Sequence, residues 1–236
     1  MSATLTRRLA AEFLGTLFLL AAVVGSGIMA ERLAAGDTAL ALLANTIATG
    51  AALIALILAL GPISGAHLNP AVSLAESLSG ALPWPEAPAY IAAQLAGAFA
   101  GVAAAHLMFG TPIFSLSVHM RSGPAQAFSE FVATFGLLAV IFGCTRLHRE
   151  ETGAPPTRSL GGINPCTAFA VGAYITSAYW FTASTSFANP AVTLARALTN
   201  TFSGIRPIDV PAFIAAQLAG ALSATLLFRW LLPPNR

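Results

Sequence analysis

The sequence predicts an all-α membrane protein of six transmembrane helices plus two half-helices, arranged as an inverted three-helix repeat. Three observations carry that expectation: apolar stretches long enough to cross a bilayer, an internal repeat, and an Asn-Pro-Ala motif that occurs once in each half. Of the 236 residues 56% are hydrophobic and only 8% are charged, whereas a soluble domain carries roughly a quarter charged residues. The charges gather at Arg7 and Arg8, Glu31 to Asp37, Arg146 to Arg158, Arg206 to Asp209 and the last residues. Apolar stretches of about 20 residues separate them, the length a helix needs to cross a hydrocarbon core of ~30 Å.

The first run, Ala10 to Ala30, follows Arg7 and Arg8 and so has the basic flank of a signal peptide. It is long for a signal core, and it carries Glu12, which has a counterpart later in the chain. It is therefore expected to be the first crossing, at about 9–30, followed by crossings at about 38–60, 87–109, 126–146, 162–182 and 209–231. Across six crossings Arg7, Arg8, Arg146, Arg149, Arg158, Arg229 and Arg236 fall on one side, and Arg32, Arg121, Arg196 and Arg206 on the other. The positive-inside rule makes the first side cytoplasmic, with both termini there.

The repeat is direct to read. Residues 88–98 return as 211–221 with only Tyr90 exchanged for Phe213, and 69–75 return as 189–195 with only Ser73 exchanged for Thr193. Glu12-Phe13 returns as Glu130-Phe131. One domain, residues 1–236, is thus expected to hold a first repeat at 8–110 and a second at 124–232. Each repeat contains three crossings, an odd number, so the second enters from the opposite face and the relating axis lies in the membrane plane.

Asn69-Pro70-Ala71 and Asn189-Pro190-Ala191 each read as a helix start. Asparagine caps the first turn through its side-chain oxygen, and proline fits the next position, where no N–H is needed. The helices they open, 69–79 and 189–199, are too short to span the core. A helix end within hydrocarbon must be buried in protein or line a water-filled cavity, so two symmetry-related ends imply a cavity at the midplane. Each end carries a partial positive charge that disfavours cations and hopping protons. The Asn69 and Asn189 amides are expected to point into the lumen as donors, with backbone carbonyls of 65–68 and 184–188 as acceptors.

The segment Ser64 to Val72, the second Asn-Pro-Ala, the paired glutamates and the matched Gln94 and Gln217 together resemble the aquaporin and aquaglyceroporin family, the major intrinsic proteins, over essentially the whole chain. The resemblance implies that Glu12 and Glu130 face the protein interior and accept hydrogen bonds from the half-helix loops. Gln94 and Gln217 would be buried polar contacts, and His67 a structural residue beside the pore, although gating by its protonation stays open. It also implies a homotetramer with one pore per subunit, in the inner (cell) membrane of a bacterium, in contact with membrane lipid.

Most members of the family carry an arginine directly after the second motif, where it forms a narrow filter; here that position is Val192. Arg196 lies one turn further along and is expected to point away from the filter level, with substitution for the missing group as the alternative. Counted back from the motifs without gaps, the remaining filter positions are Thr49, Ser177 and the loop residue Ser186; a gap in the loop 182–188 would bring in Tyr179 instead. A filter of Thr49, Ser177 and Val192 should be wider and less polar than that of a water channel. It resembles that of a bacterial subgroup associated with arsenic resistance. The implied function is passive passage of small neutral solutes, metalloid hydroxides such as arsenite (as arsenious acid) and glycerol-like polyols, with water. A water-selective channel and an ion-coupled transporter with broken helices are the alternatives.

Other functions find little support. A net charge of +2 provides no basic stripe for nucleic acid. Cys144 and Cys166 have no metal-ligand spacing and are expected to pack as small residues. No metal, cofactor or enzymatic activity is expected, for want of a nucleophile, paired lumen carboxylates or a glycine-rich phosphate loop. Gly97, Gly101, Ala216 and Gly220 are expected to permit close helix packing.

Overall fold

The computed structural model describes residues 3–152 and 165–231. The element order is α1 (Leu5–Leu33), α2 (Thr38–Ser64), α3 (Pro70–Leu78), α4 (Ala87–Phe109), α5 (Pro124–Thr152), α6 (Pro165–Phe181), α7 (Pro190–Arg196) and α8 (Val210–Leu231). Single 3₁₀ turns, Trp84–Glu86 and Pro207–Asp209, lead into α4 and α8. Among the described residues there is no strand. Helices α1, α2, α4, α5 and α8 are long and apolar enough to cross a membrane. The crossing expected to begin near 162 has its start outside the described residues, as have Arg158 and Arg236; α6 itself shows 17 residues. Helices α1 and α5 run several residues beyond their apolar stretches, because a helix does not stop where hydrocarbon ends unless a cap or breaker stops it.

Within each half the packing repeats. Helix α1 lies against α2 and α4, and α5 against α6 and α8, while α2 and α6 join the halves. The tight pairs are made by small residues. A Cβ on Gly97 would stand 2.3 Å from the Phe13 carbonyl oxygen, and one on Gly220 2.5 Å from that of Phe131. Backbone therefore touches backbone between α1 and α4 and between α5 and α8, as small-residue stripes permit in membranes. Ala216 is half-buried, and Ala224 fills the place in α8 that Gly101 holds in α4. Large apolar side chains such as Phe18, Ile47, Phe128, Phe169, Trp180 and Trp230 are exposed on the outside of the bundle, the face that meets lipid. Cys166 is also exposed, at the first turn of α6, so it does not pack as expected; Cys144 is half-buried and neither forms a disulfide.

The two short helices differ from the rest. With 9 residues in α3 and 7 in α7, they reach about 13 and 10 Å at 1.5 Å per residue. Each packs against both α4 and α8, the third crossings of the two halves. Their N-termini are consequently held in the centre of the bundle.

Candidate functional site

Asn69 and Asn189 open α3 and α7 as caps: their Oδ1 atoms accept from Ala71 N and Ala191 N, both at 2.9 Å, with Pro70 and Pro190 at the first helical position. The amide groups then cross to the other half. Asn69 Nδ2 donates to the Ala188 carbonyl at 2.7 Å, and Asn189 Nδ2 to the Leu68 carbonyl at 2.8 Å. The expectation that both amides point into the lumen as donors did not include these bonds. An amide has two N–H donors, and one of each is engaged in tying the half-helices together. Both asparagines still line the central cavity.

The loops before the motifs are held in a left-handed backbone by carboxylates. Gly65, Ala66 and Leu68 have positive φ in the first loop, and Thr185, Ser186 and Ala188 in the second. Residues other than glycine adopt this region at a cost of roughly 1–2 kcal/mol, so something must hold them. Glu12 accepts from Ser64 Oγ (2.7 Å), His67 N (3.0 Å), Leu68 N (2.7 Å) and Gln94 Nε2 (2.8 Å). Glu130 accepts from Phe187 N (2.9 Å), Ala188 N (2.8 Å) and Gln217 Nε2 (2.6 Å). All four of these polar side chains, Glu12, Glu130, Gln94 and Gln217, are fully buried. The glutamines continue to the half-helices, Gln94 to Ser73 Oγ and Gln217 to Thr193 Oγ1, both at 2.8 Å. His67 Nδ1 lies 3.1 Å from Ser73 Oγ, and its ring 5.2 Å from that of Tyr90.

A cavity of about 180 Å³ follows this axis. At the α3 mouth its lining includes Glu76, Glu86 and Arg8, the last paired with Glu86 at 2.7 and 2.9 Å. In the middle it includes Asn69, Asn189 and Val72, and towards the α7 mouth Thr49, Tyr179, Ser186, Phe187, Val192 and Arg196. Ser177 is not in the wall. It is exposed on the outside of α6, its hydroxyl donating to the Tyr174 carbonyl at 2.7 Å. Tyr179 takes its place, its hydroxyl 3.3 Å from Thr49 Oγ1. Two residues on a helix stand about 200° apart, so counting through the loop without a gap selects the wrong face. The wall on this side therefore carries an aromatic side chain, the alternative that a gap in the loop allows.

Arg196 also departs from expectation. It is wholly enclosed, in the wall, with its guanidinium carbon 3.4 Å from the centroid of the Phe187 ring. A second arginine, Arg121, lies 5.1 Å from the same ring. Its Nε donates to the Gly204 carbonyl at 2.8 Å, and its Nη1 to the Ser184 carbonyl and Thr185 Oγ1, both at 3.3 Å. Arg121 enters from the connection between the halves, where no repeat or motif marks it; its only signal in the sequence is its rarity as a charge. Among the described residues no three His, Cys, Asp or Glu side chains come together as a metal site would require.

A bundle of membrane-crossing helices in which two half-helices meet inside a lined cavity defines a transmembrane channel. The chain belongs to the major intrinsic protein family, whose model matches residues 1–163 and 154–235. Members of this family are channels rather than enzymes. The chain is 60% identical over 232 residues, 98% of this chain and 93% of the relative, to aquaglyceroporin AqpS of Rhizobium meliloti (strain 1021). It is 33% identical over 227 residues to aquaporin NIP1-3 of Oryza sativa subsp. japonica, covering 94% of this chain and 72% of that one. The X-ray structure of the aquaglyceroporin from Plasmodium falciparum shares the fold, with a TM-score of 0.75, 23% identity and 98% of each chain covered.

Proposed function

We propose that this channel passes metalloid hydroxides such as arsenious acid and glycerol-like polyols down their gradients, with water alongside. The observation that carries this is the make-up of the wall at the α7 mouth. Val192, in the place the resemblance assigns to a filter arginine, stands with Thr49, Tyr179 and Ser186, so the wall alternates apolar surface with hydroxyls. A solute of hydroxyls on a small body matches both. The similarity to a relative named an aquaglyceroporin supports the same class of solute.

Coupling to an ion gradient is disfavoured by the carboxylates. Glu12 and Glu130 are occupied by four and three donors respectively, which leaves little capacity to hold a coupling ion. The reading includes a homotetramer in a bacterial inner membrane with both termini cytoplasmic, and repeats at 8–110 and 124–232.

Stopped-flow swelling of proteoliposomes tests it, comparing water, glycerol and arsenious acid with and without an imposed voltage or proton gradient. Rapid entry of glycerol or arsenious acid that ignores both gradients is expected. Entry of water alone would make the protein a water-selective channel, and proton-dependent entry would make it a transporter.

A further inference from the structure

A guanidinium as enclosed as that of Arg196, 2% exposed, needs acceptors for its five N–H donors. The protein supplies few. Nε donates to the Ser203 carbonyl, and the Phe187 ring covers the flat face. Nη1 is buried without a hydrogen-bond partner, and among the described residues Arg196 makes no ion pair. Ser186, 2% exposed in the same wall, carries an Oγ that is likewise buried and unpartnered. Buried polar atoms are normally satisfied, and exceptions of this kind call for a partner such as a water, an ion or a ligand.

Arg196 and Ser186 both line the cavity at the α7 mouth. Val192 and Arg196 share a face of α7 one turn apart, a rise of about 6 Å. Helical side chains lean toward the N-terminus of their helix, over the preceding turn, so Arg196 is directed back along the turn that carries Val192. Its guanidinium stacks on Phe187, which neighbours Ser186, while its Nε reaches the Ser203 carbonyl. Arg121, on the same ring, has its donors met by Gly204, Ser184 and Thr185; donor capacity is left over on Arg196.

We propose that Arg196 is a specificity-determining residue whose Nη1, with Ser186 Oγ, forms a subsite at the α7 mouth for an oxygen of a neutral, hydroxyl-bearing solute. It supplies from one turn away the guanidinium that Val192 lacks. The subsite rests on the function proposed above and states which part of the wall recognises the solute. The guanidinium donates to a solute oxygen, and the serine hydroxyl accepts from a solute O–H; polyols and metalloid hydroxides offer both. The same positive charge repels cations.

Wild type, Arg196→Met, Arg196→Lys and Ser186→Ala are compared in proteoliposomes for glycerol and water permeability and for proton leak. Ser186→Ala is expected to lower the glycerol-to-water ratio about two- to tenfold, the worth of one hydrogen bond. Arg196→Met should change the ratio by a larger factor and admit protons, whereas Arg196→Lys should remain proton-tight. Folded Arg196→Met and Ser186→Ala proteins with the wild-type ratio and tightness would overturn the subsite. If Arg196→Met does not assemble, an unchanged ratio in Ser186→Ala overturns it alone. A wild-type protein that passes glycerol while the variants match it removes only the subsite; a wild type impermeable to glycerol and arsenious acid removes the function on which it rests.

Discussion

The two mouths of the pore are built on one plan, and where they depart from it is informative. Glu12 and Glu130 hold equivalent loops, Gln94 and Gln217 link each glutamate to its half-helix, and Asn69 and Asn189 each bond the other's loop. Val72 and Val192 follow the two motifs alike. Within the wall the two mouths differ, with His67 against Phe187 and Glu76 against Arg196. What the halves share is the polar scaffold that keeps left-handed loops in place within a bilayer. What they do not share is the surface a solute meets, Glu76 and the Arg8–Glu86 pair at the α3 mouth and Arg196 beside the Phe187 ring at the α7 mouth.

The largest effects should come from the scaffold. Glu12→Gln and Glu130→Gln each put an N–H against backbone N–H donors, leaving buried groups unmatched; each should lose about 3 kcal/mol or more of stability. Thermal unfolding in detergent checks this, and a large loss in one half with none in the other would break the equivalence. Gly97→Ala and Gly220→Ala force a methyl group against the Phe13 and Phe131 carbonyls, at about 1–3 kcal/mol each by the usual cost of overpacking. Similar losses in the two, by the same assay, would sharpen the comparison.

Smaller changes are expected at the motifs and the wall. Asn69→Ala and Asn189→Ala remove a helix cap worth about 1 kcal/mol together with one cross-bond, and a double variant should lose less than the two single losses added, because the sites are neighbours. Val192→Arg should leave unfolding nearly unchanged and reduce glycerol flux more than water flux; an unchanged ratio would remove Val192 from the filter. The smallest effect belongs to Ser177→Ala, which should alter stability by less than about 0.5 kcal/mol and leave flux alone. Tyr179→Phe, by contrast, should shift solute selectivity by removing the hydroxyl that meets Thr49.

Much of the scaffold was legible because it is written twice. A repeated Glu-Phe, a repeated Asn-Pro-Ala and a repeated glutamine segment mark equivalent positions without coordinates, the family resemblance supplies their contacts, and the bilayer leaves a short helix start few places to be. The wall was less legible. Thr49, Ser186 and Val192 line the cavity, whereas Ser177 is exposed on the outside of α6, since one gap in a loop rotates a helix face out of register. The contacts of Arg196, with the Phe187 ring and the Ser203 carbonyl, could not be read from its position along α7, because a long side chain reaches well beyond its own turn.

Length, apolar spans and self-similarity by themselves determined the helical membrane class, the inverted repeat and the two half-helices, because each is set by local pattern or by the bilayer's demand for satisfied backbone groups; the clamping glutamates and glutamines followed from the family resemblance. Only the tertiary structure decided that the asparagine amides bond across the halves, that Tyr179 faces Thr49, and that Arg121 and Arg196 share the Phe187 ring. Those contacts join segments far apart in the chain, and their outcome depends on helix rotation and side-chain direction, which packing sets and spacing along a sequence does not.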